Sequence, residues 1–166
     1  NLLLGAGTFQ TSAGGGGTSD VFVAKFSPSG VLIWATYFGS SSEDENNPRC
    51  AIDQNNNIFL YGEWEDNDVI TFLITTCAYQ PTFGGTEDQF LVKFSPDGDF
   101  LCSTYLGGDA EDDLDALIIE GGHGGIACYK GFVCLATNTM ADYPVTQGAY
   151  QTQHGGGAYD LSLVHI

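Results

Sequence analysis

Two acidic clusters, residues 43–45 and 111–113, are the part of this chain best suited to chemistry. Each begins 23 residues after an upstream aspartate, Asp20 in one case and Asp88 in the other. Calcium takes about six to eight oxygen ligands from carboxylates and carbonyls, so a cation site is one interpretation. The other is that these side chains accept backbone N–H bonds within their loops. The candidate calcium ligands are Glu43, Asp44, Glu111, Asp112 and Asp113.

Other metal and acid-base patterns are weaker. The stretch that starts at Asp53 begins like a calcium-binding EF-hand loop, but Ile58 stands where glycine is needed and Trp64 where glutamate is needed. We therefore reject that motif. The three histidines show no metal-ligand spacing, and His123, in a glycine-rich loop, could donate a proton but has no partner in sequence.

No catalytic motif is present in the sequence. It lacks a Gly-x-Ser-x-Gly elbow, a Walker loop and a dinucleotide fingerprint, and its glycine runs at 14–17 and 155–157 precede predicted strands. We predict a protein that is not an enzyme. Aromatic side chains such as Trp64 and Tyr143 could stack on sugar rings, with packing between sheets as the alternative. The candidate interaction residues in loops are Trp64, Glu65, Asp66, His123 and Tyr143.

Charge restricts the possible partners. The chain of 166 residues carries 21 acidic and 4 basic side chains, a formal net charge of −17. Such a charge repels phosphate backbones and anionic lipid, so we predict no nucleic acid partner. No apolar run approaches the about 20 residues that span a bilayer, so we predict no membrane insertion. Residues 1–5 are too short for a signal-peptide core, so the chain is intracellular or its targeting segment lies outside this sequence.

The use of five cysteines in this chain favours export without deciding it. An odd number requires at least one free thiol or a partner outside the chain. Cys128 and Cys134 are close enough in sequence to bridge the base of a loop, while Cys102 and Cys134 also fit as small buried side chains in strands. The spacing excludes a C-x-x-C zinc site. A disulfide between two of the five stays open, as does its pairing.

An internal repeat organises the chain. Residues 20–40 and 88–108 are near copies, each with two apolar runs around a Ser-Pro-x-Gly turn, which predicts a β-hairpin. Phe9 and Tyr79 are 70 residues apart, and Tyr79 and Tyr150 are 71 apart. The predicted strands of the first unit are 21–26, 31–37, 49–53 and 58–63, and those of the second are 89–94, 100–106, 115–119 and 131–136. Residues 121–130 form a glycine-rich insertion.

These periods divide the chain into four parts. Residues 1–19 are the tail of a preceding unit with its connector, residues 20–87 the first complete repeat, residues 88–157 the second, and residues 158–166 the first strand of a further unit. Both faces of the leading strand are largely apolar, which is typical of a sheet covered on both sides. We therefore predict an all-β fold, a partial β-propeller with four-stranded antiparallel blades. A two-layer sandwich is the alternative.

The repeated words resemble a known family. The string Asp-x-Phe-Val-x-Lys-Phe-Ser-Pro-x-Gly, then Ser-Thr-Tyr-Leu-Gly-Gly, an acidic cluster and Pro-Val-Thr-x-Gly-Ala-Tyr-Gln, is similar to the bacterial β-propeller repeats called SBBP. The resemblance implies a propeller blade in a secreted or cell-surface protein, in the style of Bacteroidota proteins exported by the type IX route. It implies no shared catalytic residues. The residues 63–69 and 121–130 depart from the pattern.

Two functions are compatible with these patterns. The first is a non-catalytic structural and interaction module, such as a rigid spacer, an adhesin segment or a filament component. Its expected partners are further blades of the same polypeptide or neighbouring chains joined by β-strand addition at residues 161–166. The second is a glycan-binding, lyase or hydrolase propeller with surface glycans as ligands. Recurrence of the acidic groups in each repeat favours the first, because an active site usually breaks the symmetry.

Overall fold

A computed structural model describes residues 9–14, 20–39, 45–65, 75–109, 124–139, 143–156 and 160–165. In these residues the chain folds into antiparallel sheets without helices, which confirms the all-β prediction. Within the same ranges, no helix has the length and apolarity to cross a membrane. The sheets contain two to four strands, and none of those described is closed on itself.

The strands group into three sheets. Sheet 1 is the hairpin of β1 (Val21–Phe26) and β2 (Leu32–Phe38). Sheet 2 has the order β3-β4-β5-β6, and sheet 3 has the order β7-β8-β9. The strands of sheet 2 are β3 (Glu45–Ile52), β4 (Ile58–Glu65), β5 (Glu87–Phe94) and β6 (Phe100–Leu106). Those of sheet 3 are β7 (Gly125–Tyr129), β8 (Phe132–Thr139) and β9 (Asp160–His165).

The two Ser-Pro-x-Gly turns have the predicted geometry. Gly30 and Gly98 both have positive φ, 80° and 93°, which only glycine adopts without strain. In each turn the first serine exchanges backbone hydrogen bonds across the hairpin, as in Ser27 N–H to the Val31 carbonyl at 2.8 Å. The matching bond of the second copy joins Ser95 N–H to the Asp99 carbonyl, also at 2.8 Å. The repeated turn is therefore a repeated structure.

The grouping of strands into sheets differs from the prediction. We expected residues 21–63 to form one four-stranded sheet, but β2 does not pair with β3. Instead β4 pairs with β5 over eight residue pairs, from Ile58 opposite Phe94 to Glu65 opposite Glu87. Sheet 2 therefore takes its strands from both predicted repeats. A turn pattern predicts that the two strands beside it pair as a hairpin. It does not predict which strand, separated from them by a longer connection, pairs with that hairpin.

The prediction for the second half of repeat two was also wrong in part. Residues 125–129 were assigned to a glycine-rich turn, and they form β7, which pairs with β8 from Gly125 opposite Ala136 to Tyr129 opposite Phe132. The turn between them is two residues, Lys130 and Gly131, both at positive φ. The strand predicted at 115–119 lies outside the described residues.

Sheet 2 is covered on both faces. One face of β5 places Phe90, Val92 and Phe94 against residues of sheet 1 in one apolar cluster. The other face contributes Leu91 to a second cluster with Leu135 of sheet 3. The prediction that both faces of a sheet are buried is confirmed for sheet 2. A two-layer sandwich is wrong for the described residues, because three sheets lie face against face.

Sheet 1 has the equivalent apolar face without a described cover. Phe22 and Phe26 occupy the positions of Phe90 and Phe94 in the repeat, and their exposed fractions are 40% and 59%. Phe90 and Phe94 are 0% exposed. The same side chains are thus core residues in one sheet and surface residues in the other.

Two of the five cysteines form a disulfide bond. Cys77, in the connection after β4, is bonded to Cys102 of β6, with the Cα atoms 6.1 Å apart. Cys102 was expected as a possible buried thiol, so that assignment was wrong. Cys50, Cys128 and Cys134 carry free thiols. The pairing of Cys128 with Cys134 is wrong because Cys134 lies opposite Ala127, one residue from Cys128, so the two side chains point to opposite faces.

We predict that the two equivalent phenylalanines differ in their contribution to stability. Phe90→Ala should lower the free energy of unfolding by about 3–5 kcal/mol, since it empties a buried site. Phe22→Ala should cost about 1 kcal/mol or less, because its ring is partly in solvent and its described ring contact is Tyr37. Urea unfolding of both variants measures the difference. Equal losses would show that the two faces are not used as described.

We predict that the disulfide between Cys77 and Cys102 stabilises the chain by restricting the unfolded state. For a sequence separation of 25 the expected gain is about 3 kcal/mol, which corresponds to about 6–12 °C in melting temperature. Reductant should lower the melting temperature of the native chain by that amount and leave the Cys77→Ser/Cys102→Ser variant unchanged. The Cys50→Ser/Cys128→Ser/Cys134→Ser variant is the control and should stay sensitive. Insensitivity of the native chain would contradict the bond.

Candidate functional site

A glutamine fixes each hairpin to the segment that precedes it. The Gln80 backbone N–H donates to Oγ1 of Thr104 at 2.8 Å, and the Gln80 carbonyl accepts the N–H of Tyr105 at 3.1 Å. The side chain then accepts the N–H of Gly107 at its Oε1, at 3.0 Å. We call this set of bonds the glutamine clamp. It holds the connecting segment along the outer edge of β6.

The clamp is repeated in the first copy with almost the same distances. Gln10 N–H donates to Thr36 Oγ1 at 2.8 Å, the Gln10 carbonyl accepts Tyr37 N–H at 3.1 Å, and Gln10 Oε1 accepts Gly39 N–H at 3.3 Å. Glutamine and threonine are therefore the residue types whose side chains the geometry uses at these positions, while the glycine contributes its backbone N–H. Their recurrence in the sequence has a structural cause.

An aspartate stabilises the other end of the connecting segment. Asp88 is fully buried, and its Oδ2 accepts the Gly84 N–H at 2.9 Å and Nε2 of Gln80 at 3.1 Å. Asp20 accepts the Gly14 N–H in the same way at 3.1 Å. Gly84 packs against the Gly108 carbonyl so closely that a Cβ atom would overlap with it. This explains a glycine at that place, and the repeated aspartate bonds backbone groups of the turn.

Sheets 2 and 3 share a buried polar network. Oε1 of Gln89 accepts hydrogen bonds from the Tyr61 hydroxyl at 2.8 Å and the Tyr143 hydroxyl at 2.9 Å. Nε2 of Gln89 donates to Oγ1 of Thr137 at 2.5 Å and to the Asn138 carbonyl at 3.4 Å. Gln89 is 0% exposed. Hydrogen bonds inside the protein therefore offset the free-energy cost of removing its amide from water. The network joins three separate segments across one interface.

A buried carboxylate lies beside this network. Glu63 is 5% exposed and is the register partner of Gln89 on the neighbouring strand. Its Oε2 accepts Nδ2 of Asn47 at 2.6 Å. Asn47 has φ of 52° and lies where the register between β3 and β4 shifts, so the bulge brings this amide to the carboxylate. The arrangement holds the carboxyl group of Glu63 in place by hydrogen bonding.

An open cleft of about 380 Å³ lies at the second clamp. Tyr79 contributes a ring that is 55% exposed, and Asp109 contributes an exposed carboxylate. The cleft suits binding through ring contacts and hydrogen bonds, and the residues around it supply no nucleophile paired with a base. Its lining is Tyr79, Gln80, Pro81, Gly107, Gly108, Asp109 and Pro144.

The aromatic residues that sequence reasoning offered for sugar stacking are buried. Trp64 is 3% exposed and packs edge-on against Phe90 at a centroid distance of 6.3 Å. Tyr143 is 7% exposed and belongs to the network around Gln89. The stacking interpretation was therefore wrong for both, and packing between sheets was right. Tyr79 and Tyr150, whose rings are exposed, were recognised only as markers of the repeat.

Most of the predicted charged site residues lie outside the described residues. Those positions are Glu43, Asp44, Glu111, Asp112 and Asp113, with Asp66 and His123 from the interaction loops. Glu65 is the last residue of β4. Among the side chains that the structure describes, no group of three His, Cys, Asp or Glu is placed to hold a metal ion. The calcium interpretation stays a prediction.

Two further titratable groups have local explanations. Burial raises the pKa of Asp53, but hydrogen bonds from the Asn57 side chain and from the backbone of Asn57 and Asn55 lower that pKa more, so the net shift is downward. Asp53 therefore closes the turn between β3 and β4. Burial, followed by the charge of Asp53, raises the pKa of the Cys128 thiol, which keeps it protonated at neutral pH.

Sequence reasoning missed both glutamines that organise the site. Gln80 carried a signal, because Gln10 and Gln151 stand at the same position of the repeat. Gln89 also carried one, since it is a polar residue in an apolar strand whose copy has Val21 there. The bonding partners of Gln89 come from three segments, and no spacing in the sequence identifies them.

The comparisons with known proteins add no relative. No protein-family model matches the chain, and no curated protein matches it.

We predict that Gln89 is the polar residue on which the interface of sheets 2 and 3 depends. Gln89→Val, which installs the residue of the equivalent position in sheet 1, should lower the free energy of unfolding by about 2–4 kcal/mol because the two tyrosine hydroxyls lose an acceptor. Tyr143→Phe alone should cost about 1 kcal/mol. In the Gln89→Val background the same change should cost less than in the native chain, and additive losses in this cycle would refute the coupling.

Proposed function

We propose that this chain is part of a β-propeller that serves as a non-catalytic scaffold and interaction module of a secreted or cell-surface bacterial protein of the SBBP type. The observation that carries the proposal is that sheets 1 and 2 have the same apolar face at the same repeat positions. Phe90 and Phe94 are buried by the preceding sheet, and Phe22 and Phe26, at the same positions, present the same face one sheet earlier. In a propeller, each sheet packs against the next through equivalent faces.

A polar contact between sheets supports the same rule. Nζ of Lys25 donates to the Pro96 carbonyl at 2.6 Å, and Nε1 of Trp34 donates to the same oxygen at 3.0 Å. Pro96 lies in the turn of the next hairpin, so sheet 1 binds the tip of sheet 2. Pro28 is the equivalent residue in the turn of sheet 1. A preceding sheet could be received there by the same chemistry.

The buried polar groups favour a structural role. Gln89 bonds with Tyr61, Tyr143 and Thr137, and Asp88 accepts the Gly84 N–H and the side-chain amide of Gln80. Groups used in this way hold segments together, whereas catalytic groups are aimed at a space that a substrate can enter. Among the residues that the structure describes, the open cleft at Tyr79 is a place where the glycan-binding alternative would act.

The disulfide and the charge support a location outside the cell. A bond between Cys77 and Cys102 persists in oxidising surroundings and is rare in a reducing cytosol. A net charge of −17 keeps such a scaffold soluble and away from nucleic acid. We propose further repeats or neighbouring chains as its partners, and calcium at the acidic clusters as a possible stiffening ion.

Thermal melting with soluble polysaccharides and with calcium tests the proposal. The scaffold predicts that no polysaccharide raises the melting temperature, while a bound ligand at 100 times its Kd would add about 2.7 kcal/mol and so about 5–11 °C. Fractionation of the producing cells should find the protein in the medium or on the surface. A shift with one glycan would replace the scaffold by a glycan-binding function, and a cytosolic location would contradict export.

A further inference from the structure

Strand β9 occupies the place in sheet 3 that β5 occupies in sheet 2. Asp88 lies opposite Trp64 of β4, and Asp160 lies opposite Thr139 of β8. From there both ladders run antiparallel in the same direction. Strand β5 also pairs along its other edge with β6, from Gln89 opposite Leu106 to Phe94 opposite Phe100. In the part of the chain that the structure describes, β9 pairs with β8 alone.

The edge strand that follows β5 in sheet 2, which we call the completing strand, is contacted by two side chains from outside the sheet. In sheet 2 that strand is β6, whose Thr104 and Gly107 are bonded by Gln80. At its other end, Phe100 stacks on Phe9, with ring centroids 4.7 Å apart. Phe9 belongs to the clamp segment of the preceding sheet. In sheet 2, one residue of the preceding clamp and one of its own clamp thus contact the completing strand.

For sheet 3, the sequence repeats the two residues that make these contacts. By the repeat, Tyr79 takes the place of Phe9, and Gln151 takes the place of Gln80. The segment 143–156 has the local geometry of the second clamp: Nε2 of Gln151 donates to the Gln153 carbonyl at 2.8 Å, as Nε2 of Gln80 donates to the Thr82 carbonyl at 3.0 Å. Tyr79 is 55% exposed, while Phe9 is half-buried against the rings around it.

We infer that the outer edge of β9, with Tyr79 at one end and the segment 143–156 at the other, is a binding site for a peptide strand of the β6 type. This inference rests on the proposed function and names the partner that strand addition would take. The strand has threonine at its fifth position, tyrosine at its sixth and glycine at its eighth, as in residues 32–39 and 100–107. An aromatic first residue, as in β6, gives the ring contact with Tyr79.

The chemistry of the occupant follows from its three contacts. Its backbone pairs with β9, its threonine and glycine bond with a glutamine of the clamp, and its first ring packs on Tyr79. Residues 100–107 contain no charged side chain, which suits a receptor with a net charge of −17. The occupant is thus a strand from another copy of this repeat and not an arbitrary extended peptide.

The test uses the 166-residue chain and a fluorescein-labelled peptide of residues 98–108 with Cys102→Ser. We expect saturable binding by fluorescence anisotropy and slower hydrogen exchange at the backbone amides of β9. A Thr104→Val peptide should bind about tenfold more weakly, since the clamp loses its hydroxyl partner. No binding at 1 mM peptide (about 4 kcal/mol of binding free energy), equal binding of a scrambled peptide, or protection that leaves out β9 and appears only beyond the segment 143–156 would overturn the inference.

Two variants of the chain provide a matched control. Tyr79→Ala should weaken binding about threefold to tenfold and make a Phe100→Ala peptide bind as well as the parent peptide. Tyr129→Ala removes the same residue type, but Tyr129 is 68% exposed and lies in β7, at the other edge of sheet 3, so binding should not change. Equal effects of the two variants would refute the assigned contact. Circular dichroism of both confirms that they are folded.

The outcome separates this inference from the proposed function. A chain that binds the peptide and also a glycan supports the strand site and refutes the scaffold role. A chain that is exported and unaffected by glycans but ignores the peptide supports the scaffold and refutes the strand site.

Discussion

The burial of sheet 2 on both faces is the constraint on which the rest of the structure depends. Phe90, Val92 and Phe94 can be fully excluded from water only because sheet 1 lies against one face, and Leu91 only because sheet 3 lies against the other. Each large side chain buried in this way contributes about 1.5–3 kcal/mol. A single sheet of this sequence would expose both rows. The sheets are therefore stable as neighbours and not as separate units.

Such stacking leaves the connections between sheets with a problem that the glutamine clamp solves. Backbone groups of a connecting segment that lies on the edge of a sheet need partners when water is excluded. Gln80 supplies its own N–H, carbonyl and side-chain oxygen to β6, while Asp88 accepts the N–H of Gly84. The clamp thus ties the end of one connection to the hairpin that follows it. The repeated motifs of the sequence contain the residues of the glutamine clamp and of the Ser-Pro-x-Gly turn.

Local chemistry could be predicted from the sequence, and long-range pairing could not. The Ser-Pro-x-Gly turns were predicted because Gly30 and Gly98 need positive φ, and that is a property of four consecutive residues. The pairing of β4 with β5 joins strands across a connection of 21 residues, from 66 to 86, so no turn pattern specifies it. The exposure of Trp64 was misjudged for the same reason. Its cover, Phe38 and Phe90, comes from two other strands.

The two interfaces of sheet 2 are chemically different, and this difference specifies the order of the sheets. Sheet 1 meets sheet 2 through aromatic rings, with Val21 at the position where sheet 2 has Gln89. Sheet 3 meets sheet 2 through an apolar cluster and, in addition, through the bonds of Gln89 to Thr137 and Tyr143. If sheet 3 were replaced by an apolar face like that of sheet 1, Gln89 would be buried without those partners, at a cost of about 1–3 kcal/mol for each lost bond. Buried polar groups have this role of excluding wrong neighbours in other assemblies. In a chain whose repeats share most of their apolar residues, hydrophobic burial alone cannot tell one neighbour from another, and the polar network can.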